Sequence, residues 1–367
     1  MHFMGDENTV GENAAVRIRE WSGSPFEIGR QHGKELRDEI INENGPAAHA
    51  LAARFKLSLP KTLDRVLRLY EPLFQEHLPI AIEEIKGIAD GSGLSYPFAF
   101  YGAIRDGAKF PPQLAAQQDG QCTAFVCGKP TTRDGKMLMG QTKDTGLSSQ
   151  RYHLMRFEYS DGRSLLVLNY AGWIANMALT SDGMALTGNS LYAPETEEET
   201  VPYSFLKRLV MEKSSVDEVL QIISGMRFGN GCFMIGDASG KAVCLESVAG
   251  CLDVRDVSSQ TFGHANSILA EKLKQLEDPW TRLPSSPPRQ RNVQRLLDEK
   301  AGEITVEDLK RVAADHTDYP FSICRHPDEA DPLSTSAAVI MDLTDREMHI
   351  ALGKPCQSEF ASFKLKT

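Results

Sequence analysis

The chain has 367 residues, 41% hydrophobic and 25% charged, enough to bury a sizeable core in one large domain or two ordinary ones. Its formal net charge of −10 argues against nucleic acid or an anionic membrane as the main partner, and no run of about 18 apolar residues offers a membrane span. Seven scattered cysteines suit no disulfide framework, and the absence of C-x-x-C, H-E-x-x-H, P-loop and G-x-G-x-x-G patterns leaves metal and nucleotide cofactors without sequence support.

Residues 1–14 are polar, and Met1–Asn8 lacks a basic stretch followed by an apolar one, so a cytoplasmic protein is expected. A strand is predicted at Ala15–Arg19. Ser24-Pro25-Phe26-Glu27 then reads as a helix start, with Ser24 as N-cap, Pro25 in the first position and Glu27 closing a capping box. That helix is predicted to run from Ile28 to Ile41, with further helices over 46–56, 61–75 and 78–89, the last stopping at Asp90-Gly91-Ser92-Gly93. Up to about residue 110 the pattern is helical.

From Cys122 it changes. Cys122–Cys127 and Lys136–Gln141 read as strands around the loop Thr131–Gly135. Tyr152–Tyr159, Ser164–Tyr170, Ile174–Thr180 and Met184–Thr187 follow, with Asp161-Gly162 and Asp182-Gly183 as turns. The Glu195-Thr196-Glu197-Glu198-Glu199 run reads as an exposed acidic loop. Helices are predicted at Tyr203–Met211 and Val216–Gly225, and a hairpin joins Cys232–Asp237 to Ala242–Ser247. After the Pro-rich Leu283–Pro288, a basic helix is predicted at Arg289–Lys300, then a last hairpin of Ala337–Leu343 and Glu347–Leu352. Antiparallel strands interleaved with helical pairs predict an α+β sandwich whose helices cover both faces of stacked sheets.

Chemistry concentrates at Asp119-Gly120-Gln121-Cys122-Thr123, where a cysteine heads an apolar strand after a polar, turn-like run. A cut before Cys122 makes it an N-terminus that carries nucleophile and base on one residue, because an α-amine with a pKa of about 7.7–8.0 can take the thiol proton. Taken alone, Cys122 reads equally as a small buried strand residue. By the same measure Asp144 reads as a cap, Asn189 and Asn266 as turn residues, and Arg325 as a bridge between carboxylates. His264, His316 and His326 are alternative bases for a Cys–His dyad. Cys127, Cys232, Cys244, Cys251, Cys324 and Cys356 read as structural thiols.

Several segments in order nonetheless resemble one family: Ser24–Gly29 with His32-Gly33, Pro79 with Glu84–Gly91, Cys122-Thr123 with Gly140-Gln141 and Asp144, Gly188–Leu191, Gly263–Asn266 and Ser322–Pro327. The chain is similar over nearly its whole length to the cysteine N-terminal-nucleophile hydrolases related to isopenicillin-N acyltransferase, the C45 peptidases. The resemblance implies an αββα four-layer sandwich and a precursor cut between Gln121 and Cys122. Residues 1–121 and 122–367 would then form two chains held together as one globular domain. It further implies acyl-enzyme chemistry on Cys122 toward a small N-acyl amide or acyl donor, with no metal or organic cofactor. Residue by residue, it implies that Asp144 fixes the α-amine and nucleophile, that Asn189 lies in the oxyanion hole, and that Asn266 orients the nucleophile or stabilises the intermediate. Arg325 would position Asp144 or the thiolate, and Ser286 and Arg289 would lie on the substrate side.

Two residues depart from the family pattern. Gln121 stands where Gly is usual, and Gly alone reaches strained φ/ψ values readily. Cys232 stands near the place of a pocket serine, which points away from penicillin-type substrates. Three readings therefore remain open beside amide hydrolysis: acyl-CoA-dependent N-acyl transfer, an unprocessed amide-binding homologue, and a Cys–His protease.

Overall fold

The computed structural model describes residues 16–105, 120–146, 152–193, 200–277, 283–328 and 332–366. The polar N-terminal stretch, Ala15, Asp119 and the Glu195–Glu199 run lie outside the described residues. In chain order the elements are β1 (Ile18–Gly23), α1 (Pro25–Glu35), α2 (Arg37–Phe55), α3 (Leu59–His77), α4 (Pro79–Ser92), α5 (Tyr96–Ile104), β2 (Gly120–Cys127), β3 (Leu138–Gly146), β4 (His153–Tyr159), β5 (Ser164–Asn169), β6 (Met177–Thr180) and β7 (Ala185–Ser190). They continue with α6 (Tyr203–Glu212), α7 (Val216–Ile223), β8 (Gly231–Gly236), β9 (Ala242–Val248), β10 (Cys251–Asp256), β11 (Thr261–His264), α8 (Glu271–Lys274), α9 (Ser286–Asp298), α10 (Val306–Ala313), β12 (Leu333–Asp342), β13 (Glu347–Leu352) and β14 (Ala361–Lys364).

The strands form two sheets, an eight-stranded one ordered β1-β4-β5-β6-β7-β8-β9-β10 and a six-stranded one ordered β11-β2-β3-β12-β13-β14. All pairs are antiparallel except β1 with β4, which run parallel from Ile18 opposite Leu154. Alternating side chains of one strand enter different cores, as a period of two requires. In β5, Leu165 and Val167 pack with helices α1 to α7, whereas Leu166 and Leu168 pack between the sheets. In β2, Ala124 and Val126 face that inter-sheet core while Phe125 and Cys127 join Val293 of α9 and Leu309 of α10. Three apolar interfaces thus separate four layers, and the expected αββα sandwich is the architecture found.

Local sequence signals explain the first helix. The Ser24 Oγ accepts from the Glu27 N–H while the Glu27 carboxylate accepts from the Ser24 N–H, closing the expected capping box. The helix ends at Glu35, not at Ile41. Leu36 leaves helical geometry at φ −111° and sinks into the core at 1% exposure, and α2 restarts at Arg37. Helix α1 lies against α4 at a glycine-lined crossing. A Cβ on Gly29 or Gly33 would stand 2.0 Å from the Glu84 carbonyl oxygen or 2.3 Å from that of Ile88. A Cβ on Gly87 or Gly91 would stand 2.1 Å from the Phe26 carbonyl oxygen or 2.0 Å from that of Arg30. These are the glycines of the family-like segments, and their use is close backbone approach.

Beneath the crossing, Glu84 binds Arg208 through both oxygens at 2.7 and 2.8 Å and accepts from the Tyr159 hydroxyl; all three residues are buried. His32, also buried, stacks on Trp21 at 4.7 Å and accepts from the Gly172 N–H at 2.9 Å. Burial, with the nearby His153 and Arg19 charges, pushes the His32 imidazole down to about 3.

Candidate active site

The site lies where β2 and β3 of the smaller sheet meet the start of α9 and the loop before β12. Strand β2 starts at Gly120, two residues ahead of the expected head at Cys122, because β3 runs on to Gly146 and offers partners as far as Thr145. Gln121 therefore lies opposite Asp144 and Cys122 opposite Lys143, both in extended backbone. Gln141, one residue after Gly140, staples the sheets together. Its Nε2 donates to the Gly188 carbonyl at 2.6 Å and its Oε1 accepts from the Gly188 N–H at 2.9 Å.

Cys122 is buried at 2% exposure, and its backbone N–H donates to Asn266 Oδ1 at 3.2 Å. Asn266 is held in turn by its Nδ2 on the Ser190 carbonyl at 2.8 Å and by its N–H on Ser286 Oγ at 2.9 Å. Arg289, in the first turn of α9 and fully buried, reaches the same point from the other side. Its Nη1 donates to the Cys122 carbonyl at 2.6 Å and to Thr123 Oγ1 at 3.0 Å, and its Nη2 to Asn266 Oδ1 at 2.8 Å and Gln121 Oε1 at 2.9 Å. Arg325 Nη1 and the Ser285 hydroxyl also donate to Gln121 Oε1. One amide oxygen thus gathers donors from two guanidinium groups and a hydroxyl.

Asp144 has no exposed surface. Its Oδ1 accepts from Thr335 Oγ1 at 2.7 Å, and its Oδ2 has no hydrogen-bond partner. A register shift in β12 between Thr335 and Ala337 sets Thr335 opposite Asp144. The Thr335 hydroxyl also accepts from the Arg325 N–H at 2.8 Å, so one side chain ties the carboxylate to the arginine loop. Burial pushes the Asp144 carboxyl up, against the pull of the Arg289 and Arg325 charges. Burial likewise brings Arg289 down to about 10, against the pull of Asp144. Two guanidinium groups facing one carboxylate leave an excess of positive potential, which favours an anion on whatever reacts there.

Cys122, Gln121, Asn266, Ser286, Arg289 and Arg325 therefore meet in one hydrogen-bonded set, and Asp144 joins it through Thr335. Asn189 sits one shell away. Its Nδ2 donates to the carbonyls of His264 and Ala265, each at 2.7 Å, so both amide hydrogens hold the segment that carries Asn266 rather than point at an open position. His264 binds Glu246 at 2.7 Å, and His316 and His326 face each other at 3.1 Å. Burial raises the Glu246 carboxyl, but the hydrogen bond and charge of His264 and the Leu269 and Ala270 amides outweigh it and hold the carboxyl low. Cys232 lies opposite Asn189 with its sulfur 3.5 Å from that of Cys244, and burial pushes its thiol up.

Sequence reasoning missed Ser285, Thr335 and Tyr192, whose hydroxyl donates to the Gly120 carbonyl at 2.9 Å. Ser285 adjoins the expected Ser286 and was within reach of the same motif; Thr335 and Tyr192 carry no local signal. A cleft of about 330 Å³, lined by Tyr192, Asn266, Ile268, Leu283, Pro287 and Gln290 among others, opens onto this set. Its apolar wall and its contact with Asn266 suit a small molecule.

The sequence profile of the acyl-coenzyme A:6-aminopenicillanic acid acyl-transferase family matches residues 131–357, a span that holds Asp144, Asn189, Asn266, Ser286, Arg289 and Arg325 and begins after Cys122. The chain is 26% identical over 345 residues, 91% of each sequence, to the 40 kDa form of acyl-coenzyme A:6-aminopenicillanic-acid-acyltransferase of Emericella nidulans. Among solved structures it is similar to a mutant conjugated bile acid hydrolase from Clostridium perfringens, at 14% identity and a TM-score of 0.43 over 67% of this chain and 97% of that one. Penicillin V acylase from Agrobacterium tumefaciens matches at 10% identity and a TM-score of 0.37 over 66% and 78%.

Proposed function

This chain belongs to the acyl-coenzyme A:6-aminopenicillanic acid acyl-transferase family, and from that premise we propose that it is a self-processing cysteine amidohydrolase acting on a small N-acyl amide. The observation that carries the reading is the hold on Cys122: its N–H is fixed by Asn266 and its carbonyl by Arg289, beside a buried aspartate. In the first step the Cys122 thiol attacks the Gln121 carbonyl carbon. The C–N bond breaks, the freed nitrogen of Cys122 takes the thiol proton, and water hydrolyses the thioester. The products are a Gln121 carboxylate and a free α-amine on Cys122.

In turnover that amine takes the thiol proton, the sulfur attacks the substrate carbonyl, and the amine passes the proton to the leaving nitrogen. Water then resolves the acyl-enzyme to a carboxylic acid. Asn266 Oδ1, which accepts the backbone N–H in the continuous chain, is assigned the α-amine after the cut. Asp144 Oδ2 supplies the negative charge that holds an ammonium there. Asn189 positions Asn266. The groups gathered on Gln121 Oε1 donate to an amide oxygen, the group a substrate brings, and are the candidate stabilisers of the oxyanion.

Intact mass measurement of the purified protein tests this directly. A fragment beginning at Cys122 is expected from the native sequence and not from Cys122→Ala, together with loss of N-acyl amide hydrolysis. A chain that stays whole, with amidase activity preserved in Cys122→Ala, overturns the reading. The curated relative is named for an acyl-coenzyme A reaction, so transfer to an amine is the second reading. Acyl-CoA turnover that rises with added amine, with little amide hydrolysis, would favour it.

A further inference from the structure

Four side chains outside the reaction set converge on one point beside Arg325. His316 follows α10, Cys324 and His326 flank Arg325, and Cys356 follows β13. Their ligand atoms all lie within 4.8 Å of one another. The two Nε2 atoms are 3.1 Å apart, the two sulfurs 3.5 Å, His326 Nε2 is 3.2 Å from the Cys356 sulfur and 3.9 Å from that of Cys324.

Hydrogen bonding does not explain this geometry. A single Nε2 makes one hydrogen bond, yet that of His326 has three close neighbours. A disulfide does not explain it either, because the sulfurs stand well beyond the roughly 2.05 Å of an S–S bond and the two imidazoles have no part in one. A central cation does. With zinc–sulfur bonds of about 2.3 Å and zinc–nitrogen bonds of about 2.0–2.1 Å, a tetrahedron has edges of about 3.3 Å for N–N, 3.5 Å for S–N and 3.8 Å for S–S. The observed N–N edge of 3.1 Å and S–S edge of 3.5 Å lie a little below these values, and the two S–N edges of 3.2 and 3.9 Å lie on either side of theirs.

We propose that His316, Cys324, His326 and Cys356 form a structural zinc site. The two-sulfur, two-nitrogen donor set suits Zn²⁺. Binding takes the ion from solution, releases one proton from each of the two thiols, and involves no redox step. No fifth ligand position is needed, so the site is closed and its work is mechanical. Cys324 and His326 anchor one face of the loop, while Arg325 between them reaches Gln121 and Ser285 on the other. The spacing, with seven residues between His316 and Cys324, one before His326 and twenty-nine before Cys356, matches no compact zinc pattern and hid the site from motif reading.

The test uses the full chain carrying Cys122→Ala, which removes any competing thiolate at the reaction centre and makes the result independent of processing. Elemental analysis after zinc loading and desalting is expected to give about one zinc per chain, falling to almost none in His316→Ala and Cys356→Ser. Both substitutions lie at exposed positions, and circular dichroism checks that the variants fold. Cobalt loading is expected to give thiolate-to-cobalt charge transfer and tetrahedral d–d bands that Cys356→Ser lacks. A zinc content no greater than that of the variants, the absence of those bands, or a resting Cys324–Cys356 disulfide in the native protein overturns the proposal.

Discussion

At the scale of single residues, Arg289 holds more of the reaction set than Cys122 does. Its fork touches Cys122, Thr123, Gln121 and Asn266. Lysine keeps the charge but not the planar fork. Arg289→Lys is expected to slow both the cut before Cys122 and amide turnover by about 10²-fold, the loss typical of one misplaced donor at a reacting carbonyl. Intact mass against time and the turnover rate measure the two, and near-native rates for both would remove Arg289 from this role. From its own surroundings in the sequence Arg289 was one basic residue in a Pro-headed helix, and only the family resemblance set it, with Ser286, on the substrate side. What raises it is burial at 0% exposure, which no pattern of charges reveals. Gln121 was the opposite case. Its presence in place of Gly was plain, but the sequence said nothing of the donors on its side-chain oxygen. Gln121 lies in ordinary strand backbone without a positive φ, so the proposed cut has that grip, and not a strained φ, to draw on.

At the scale of elements, the glycines of α1 and α4 decide how the helical layer sits. The Gly87 Cα has a backbone oxygen where a methyl would go. Gly87→Ala is expected to destabilise the protein by about 3 kcal/mol, at the upper end of the cost of overpacking a tight contact. Denaturant unfolding checks it, and an unchanged midpoint would mean that the helices can separate at no cost. Glycines inside a helix ordinarily weaken it, so two pairs of them four residues apart were a readable sign of helix contact. The strands were readable too: β5, β8 and β9, buried on both faces, and β13, with one face half-buried, fall within a residue or two of their expected ends. β10 and β14 were missed because β10 is a largely exposed edge strand with charged Asp253, Arg255 and Asp256, and β14 is an edge strand of only four residues, too short for its alternation to stand out. Helix α10 was missed although its Thr305–Asp308 capping box was there to find.

At the scale of the whole molecule, the three stacked cores make stability sensitive to buried polar groups between layers. His32 is the clearest. An unfolded chain protonates it near pH 6.5, whereas the folded one resists until about 3. The unfolded state thus binds more protons in that window. The group's contribution is complete above about pH 6.5 and is lost as pH falls toward 3, at up to about 1.4 kcal/mol per pH unit. Denaturant midpoints between pH 7 and 5 should show this slope, and His32→Gln, which keeps an acceptor for the Gly172 N–H, should flatten it. A slope unaltered by the substitution would place the acid sensitivity elsewhere. The layer architecture itself was legible, because helices, then strands, then helical pairs among strands leave few other ways to cover two sheets. The burial of His32 was not, since its partners lie far along the chain.

The parallel pairing of β1 with β4 has a further effect. A strand from before Cys122 completes the edge of a sheet built wholly from residues after it. Once the bond between Gln121 and Cys122 is gone, unfolding releases two molecules where there was one, and refolding becomes a bimolecular encounter. The processed protein should then have a melting midpoint that climbs with its own concentration, while Cys122→Ala, still one chain, should melt at the same temperature however dilute it is.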